Sequence, residues 1–146
     1  MPSATSTNTL HNAYMKFLLH GTPMSVLPAA NSNYYIGLFT TLPTLAGTGG
    51  TEVTGGSYVR QPIARAATHW SADGSGANLE YSNTVEITFP VPSANWGTIV
   101  GGGLFTAASA GDLLYVSSLV TPKTVNNGDG APRILVGQWR IARAAC

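Results

Sequence analysis

The chain has 146 residues, of which only seven are Lys or Arg and six Asp or Glu, so charged side chains make up 9% of it, against about 25% in an average soluble domain. A formal net charge of +1 excludes an electrostatic nucleic-acid binder, which needs clustered cations, and 44% hydrophobic residues exclude a disordered chain. What remains is a nearly neutral folded protein of single-domain length, with little charge repulsion to keep copies apart.

Residues 1–8 are rich in Ser and Thr and read as a flexible arm. From Thr9 to His20, Leu10, Tyr14, Phe17 and Leu18 recur at helical spacing and predict one apolar stripe facing a core. Thr7, Asn8 and Thr9 are N-cap candidates, and Gly21 and Pro23 end the helix. After Pro28 the chain turns to short β-branched and aromatic runs divided by Gly, Asn, Asp and Pro clusters. Tyr34 to Thr40 is the first strand, and the glycine-rich Leu42 to Gly56 stretch reads as a long surface loop. Ser57 to Arg65 follows, with Pro62 placing that strand at an edge or bulge. A short piece near His69 and Trp70, then Asn78 to Tyr81 and Val85 to Phe89, continue the pattern. Gly101, Gly102 and Gly103 interrupt the apolar run Trp96 to Phe105 and predict a kink, a bulge or a close backbone approach. Leu113 to Leu119 and Val120 to Val125 lead into the Asn126 to Gly130 turn, and Arg133 to Ile141 closes the chain, with Ile134, Val136, Trp139 and Ile141 as apolar contacts. The pattern predicts a mainly β fold, a single antiparallel β-sandwich (jelly-roll-like) over residues 33–141 after one helix at 9–20, with a C-terminal tail at 142–146.

Groups able to do chemistry are sparse. His11 and His20 sit nine residues apart, on opposing sides of the predicted helix, and cannot share a metal. His69 with Asp73 is the best local acid–base pair, and Glu80 with Glu86 the nearest carboxylate pair for glycosidase chemistry; both read more simply as strand-end and solvent-face residues. Asp73 to Glu80 is oxygen-rich but lacks the acidic spacing of an EF-hand. Gly101 to Gly103 has no following helix or Lys-Ser/Thr and is no phosphate loop. The residues therefore assign no catalytic, cofactor or metal site, and no enzyme activity is expected. Tyr34, Tyr35, Tyr58, Tyr81, Trp70, Trp96, Tyr115 and Trp139 read chiefly as core or interface, and as a carbohydrate platform in the alternative. The single Cys146 cannot form an internal disulfide. With no signal-like or membrane-spanning apolar run, the chain is expected to stay in the cytoplasm where it is made.

Several blocks of sequence together carry a resemblance. Tyr35 to Thr44 (YIGLFTTLPT), Gly50 to Val53 (GTEV), Gly56 to Arg60 (GSYVR), Asn83 to Pro90 (NTVEITFP), Gly103 to Ala108 (GLFTAA) and Lys123 to Asp129 (KTVNNGD) resemble, in order, a family of small tailed-bacteriophage virion proteins labelled tail-fibre or minor structural proteins. Leu18 to Thr22 fits the same pattern, while Gln61 to Gly76 departs from it. The resemblance implies a non-enzymatic virion component without cofactor. The leading expectation is a capsid cement or decoration protein present in many copies on the head, with the major capsid protein and copies of itself as partners. The alternative is a tail-fibre or baseplate-associated protein that binds a host receptor or glycan. Neither reading involves nucleic acid or a membrane.

Overall fold

The computed structural model describes residues 1, 3–30, 32–73 and 79–142. In chain order the elements are β1 (Thr5–Ser6), α1 (Asn8–His20), β2 (Asn33–Thr41), β3 (Thr51–Glu52), β4 (Gln61–Ala64), β5 (Trp70–Asp73), β6 (Glu80–Asn83), β7 (Ile87–Thr88), β8 (Gly97–Phe105), β9 (Leu113–Val125), β10 (Arg133–Ile134) and β11 (Arg140–Ala142). The main sheet runs β1-β9-β8-β2-β3, with β4 sharing the outer edge of β2. Facing it are the three-stranded β11-β6-β5 sheet and the β10-β7 ribbon. All named strand pairs are antiparallel. The mainly β, antiparallel class with a single helix is as the sequence predicts, and the layering is compatible with a jelly roll.

The core lies between these layers. Ile36, Leu38, Ile99 and Leu104 from the main sheet meet Phe89, Ile134 and Trp139 from the opposite side. Trp139 is fully buried and seats its ring on Gly102, where a Cβ would lie 2.9 Å from Trp139 Cζ3 and 3.0 Å from the Gly37 carbonyl. The glycine run is thus a close-approach site, as expected. Asn83, also fully buried, holds the tryptophan from behind. Its Oδ1 accepts from the Trp139 amide at 2.9 Å, and its Nδ2 donates to the Val85 and Leu135 carbonyls at 2.8 and 3.0 Å.

On the other face of the main sheet a second structure forms. Phe105 lies against Gly37 and Gly103, and the Arg60 guanidinium stacks 3.4 Å above its ring. Arg60 bonds Glu52 bidentately, both contacts at 2.8 Å, with the two side chains only 9% and 22% exposed. It also donates to the carbonyls of Ala107 and Ala110. Tyr58 donates to Glu52 and accepts from the Leu38 amide. The GTEV and GSYVR blocks therefore encode one ion-pair network that clips two loops onto the sheet.

Several expectations need correction. Residues 3–7 are no free arm: Ala4 is buried and bridges Ile141, and β1 pairs with β9. The Leu42 to Gly56 stretch holds β3 and buries Val53, because Glu52 is drawn to Arg60. Arg133 to Ile141 is two short strands around a turn fixed by Asn83, which leaves Val136 60% exposed. Most consequential, α1 has no buried residue. It is tied in at its start, where the buried Thr7 donates to Leu113 and the Asn8 amide to Leu45, and ends at Gly21 in the left-handed conformation. Of its stripe only Leu10 is half-buried, while Tyr14, Phe17 and Leu18 are exposed. As predicted, Pro62 stands on an outer strand, paired with Tyr35. The tail at 143–146, with Cys146, lies outside the described residues.

Strand β9 is one strand rather than two, and its pairing with β8 shifts between Ile99↔Lys123 and Gly101↔Ser118. The extra residues of β9 bulge outward there, with Val120 81% exposed.

Gly102→Ala is expected to lower stability by about 1–2 kcal/mol net, because overpacking against Trp139 outweighs the backbone entropy an alanine saves. A fall in the urea midpoint at unchanged slope measures it. A second expectation concerns alkali. Burial, reinforced by Glu52, raises the Tyr58 phenol above its ordinary value of 10.0, against opposing pulls from the Leu38 amide and Arg60. A folded-state value above the unfolded one means that this stabilisation is complete below about pH 10 and is lost as pH rises beyond it. Tyr58→Phe should therefore weaken the protein at neutral pH and flatten its stability loss above pH 10.

Candidate functional site

An aromatic groove lies at one mouth of the sandwich. On the main sheet, β2 presents Tyr34 and β9 presents Tyr115, on either side of Leu104 of β8. Trp70 begins β5, and Tyr81 sits in mid β6 between Ala72 and Ile141. The connection after β4, starting at Arg65, closes the side. Together they border an open groove of about 430 Å³, within the range of small-ligand sites.

Local hydrogen bonds fix these groups. Trp70 Nε1 donates to the Ala64 carbonyl at 3.0 Å, and Arg65 Nη1 donates to the Pro28 carbonyl at 2.7 Å. The Arg65 amide is bonded to Ser32. Burial raises the phenols of Tyr34 and Tyr115; Arg65 beside Tyr34 pulls the first back, and Tyr34 pushes the second further up. Tyr81 is 47% exposed. Tyr34 and Tyr115 also border a second groove of about 730 Å³, which runs under Leu10 and Tyr14 of α1 to Met24 and Leu27.

The candidates for chemistry are not brought together. Asp73 accepts from Ser82 at 2.6 Å, while His69 Nδ1 is hydrogen-bonded to Thr68 Oγ1 at 3.0 Å. Four residues of extended chain separate the two by roughly 13 Å. Glu80 and Glu86 each pair with a different arginine, Arg140 and Arg133. The Asp73 to Glu80 segment is partly outside the described residues, and among those described no three His, Cys, Asp or Glu side chains are placed to hold a metal ion. No described helix is long and apolar enough to cross a membrane.

The aromatic residues divide by environment. Trp96 and Trp139 are core, and Tyr58 packs with Phe89 and Trp96. Tyr34, Trp70, Tyr81 and Tyr115 line the groove. Arg65 escaped the sequence reading, since nothing near it in the chain announces that it faces Tyr34 and Trp70.

No curated protein matches the chain at a significant level. The profile of a family described as "Podophage GP4 fiber I protein gp80" matches residues 5–142, which span every element of the fold. The chain therefore belongs to the podophage GP4 fiber I protein gp80 family, a family of phage virion structural proteins of the tail-fibre kind.

Proposed function

We propose that the chain is a non-enzymatic component of a bacteriophage tail fibre, joined to neighbouring chains of the virion largely by apolar contacts. The family match favours the tail fibre over the capsid-cement reading preferred from the sequence, for which it offers no support.

The observation that carries the assembly part of this reading is α1. Tyr14, Phe17, Leu18 and Leu19 are 49%, 49%, 54% and 69% exposed, and the helix holds no acidic residue and one lysine, Lys16. Burying a large apolar side chain is worth roughly 1.5–3 kcal/mol, so a helix that leaves four of them half in water gains most of that only when another surface covers it. A neighbouring fibre chain, including a second copy of this one, is the natural cover in a virion component. Few ion pairs would then be screened by salt.

Antibody labelling of intact particles should mark the tail fibres; label confined to the head restores the cement reading and overturns this one. Leu18→Gln with Leu19→Gln keeps helix propensity and should leave the stability of the isolated chain within about 0.5 kcal/mol, yet sharply reduce its incorporation into particles. Washing particles in molar salt should not release the wild-type chain, whereas release by moderate salt alone would point to a charge-driven contact.

A further inference from the structure

The aromatic groove has a charge feature that narrows its ligand. Among the described residues the other three arginines, Arg60, Arg133 and Arg140, each have a carboxylate partner. Arg65 has no carboxylate partner among those residues: it donates to the Pro28 carbonyl through Nη1 and lies in hydrogen-bonding contact with the Tyr34 phenol. Among the described residues it is the only charged side chain lining the groove, and no acidic residue lines it. Around it stand Trp70 and three tyrosines, contributed by four different strands of two sheets. Aromatic faces with hydroxyl rims suit ligands that are apolar on ring faces and polar on ring edges.

We propose that this groove binds an acidic saccharide, with its carboxylate on Arg65 and its pyranose faces against Trp70 and Tyr81. The inference rests on the tail-fibre reading and names the class of surface molecule such a component would meet. A purely apolar peptide fits poorly, since it would cover Arg65 without pairing it. A nucleic acid fits poorly as well, because one cation cannot hold a polyanion at ordinary salt. The groups are held before any ligand arrives: the Trp70 indole is pinned by Ala64 and the Arg65 side chain by Pro28. Binding therefore costs little side-chain ordering. The exposed Tyr81 gives the site an open side for a chain that continues beyond it.

The test uses the full chain, amide NMR and millimolar probes: digalacturonic acid and N-acetylneuraminic acid as acidic sugars, lactose and N-acetylglucosamine as neutral ones. At least one acidic probe should shift the amides of Arg65 to Trp70 and of Tyr115, while the neutral sugars bind more weakly. Arg65→Gln should weaken acidic-probe binding by roughly tenfold or more, as loss of one charge-assisted hydrogen bond implies. Tyr81→Ala, at an exposed position, should weaken it while the amide spectrum remains that of the folded chain. Arg133→Gln, away from the groove, should leave it unchanged. Absence of groove shifts with both acidic probes, equal binding of neutral sugars, or full affinity in Arg65→Gln overturns the proposal. Such a failure is separable from failure of the fibre reading, which particle labelling decides without reference to sugar.

Discussion

The fold depends on a tryptophan resting on bare backbone. Trp139 can enter the space between the layers only because Gly102 offers no side chain there, and it stays because Asn83 bonds its amide and the carbonyl of Leu135. Those contacts join the middle of the main sheet to the turn between β10 and β11 and to the end of β6. The arrangement has a cost: the indole Nε1 is buried without a partner among the described residues, a penalty of about 1–3 kcal/mol. The ring's buried area must more than offset it, as a side chain of this size in full burial can.

On the reverse side of the same sheet, a second glycine pair, Gly37 and Gly103, lets Phe105 lie flat and carry Arg60 on its outer face. The sheet is thus thin where β2 and β8 cross it, and both of its faces use that thinness for an aromatic ring. The inner ring builds the core. The outer one supports an ion pair that holds Ala110 in a left-handed conformation no glycine supplies. With those two anchors spent on stability, Tyr34, Trp70, Tyr81 and Tyr115 are left to the groove mouth, and Tyr14 and Phe17 to the helix face.

Much of this was legible in the sequence, for reasons that differ by residue. Alternation marked Ile87 and Phe89 as inward, Pro62 marked an outer strand, and three consecutive glycines marked a backbone approach. These signals are local and survive without tertiary knowledge. The helix was legible as a helix, but its stripe was misassigned to the core, since periodicity reports an apolar face and not what covers it. The sequence blocks that resemble phage proteins were recognisable without being interpretable. Only the fold shows that Glu52, Tyr58 and Arg60 form one network. The groove was the least legible part. Tyr34, Arg65, Trp70, Tyr81 and Tyr115 are spread over some eighty positions and become neighbours through strand order alone.

The outward bulge of β9 has a bearing on how a nearly uncharged, β-rich chain avoids runaway aggregation. Beyond the two positions covered by β1, the outer rim of β9 has no strand beside it among the described residues. Such a rim invites another chain to extend the ladder indefinitely. Here the rim swells at the register shift and carries Pro122, which has no amide hydrogen to give, followed by Lys123. A docking strand would meet a missing donor, a displaced backbone and a cation in succession. With sheet extension blocked at that rim, the chain can keep a sticky helix without polymerising through β9.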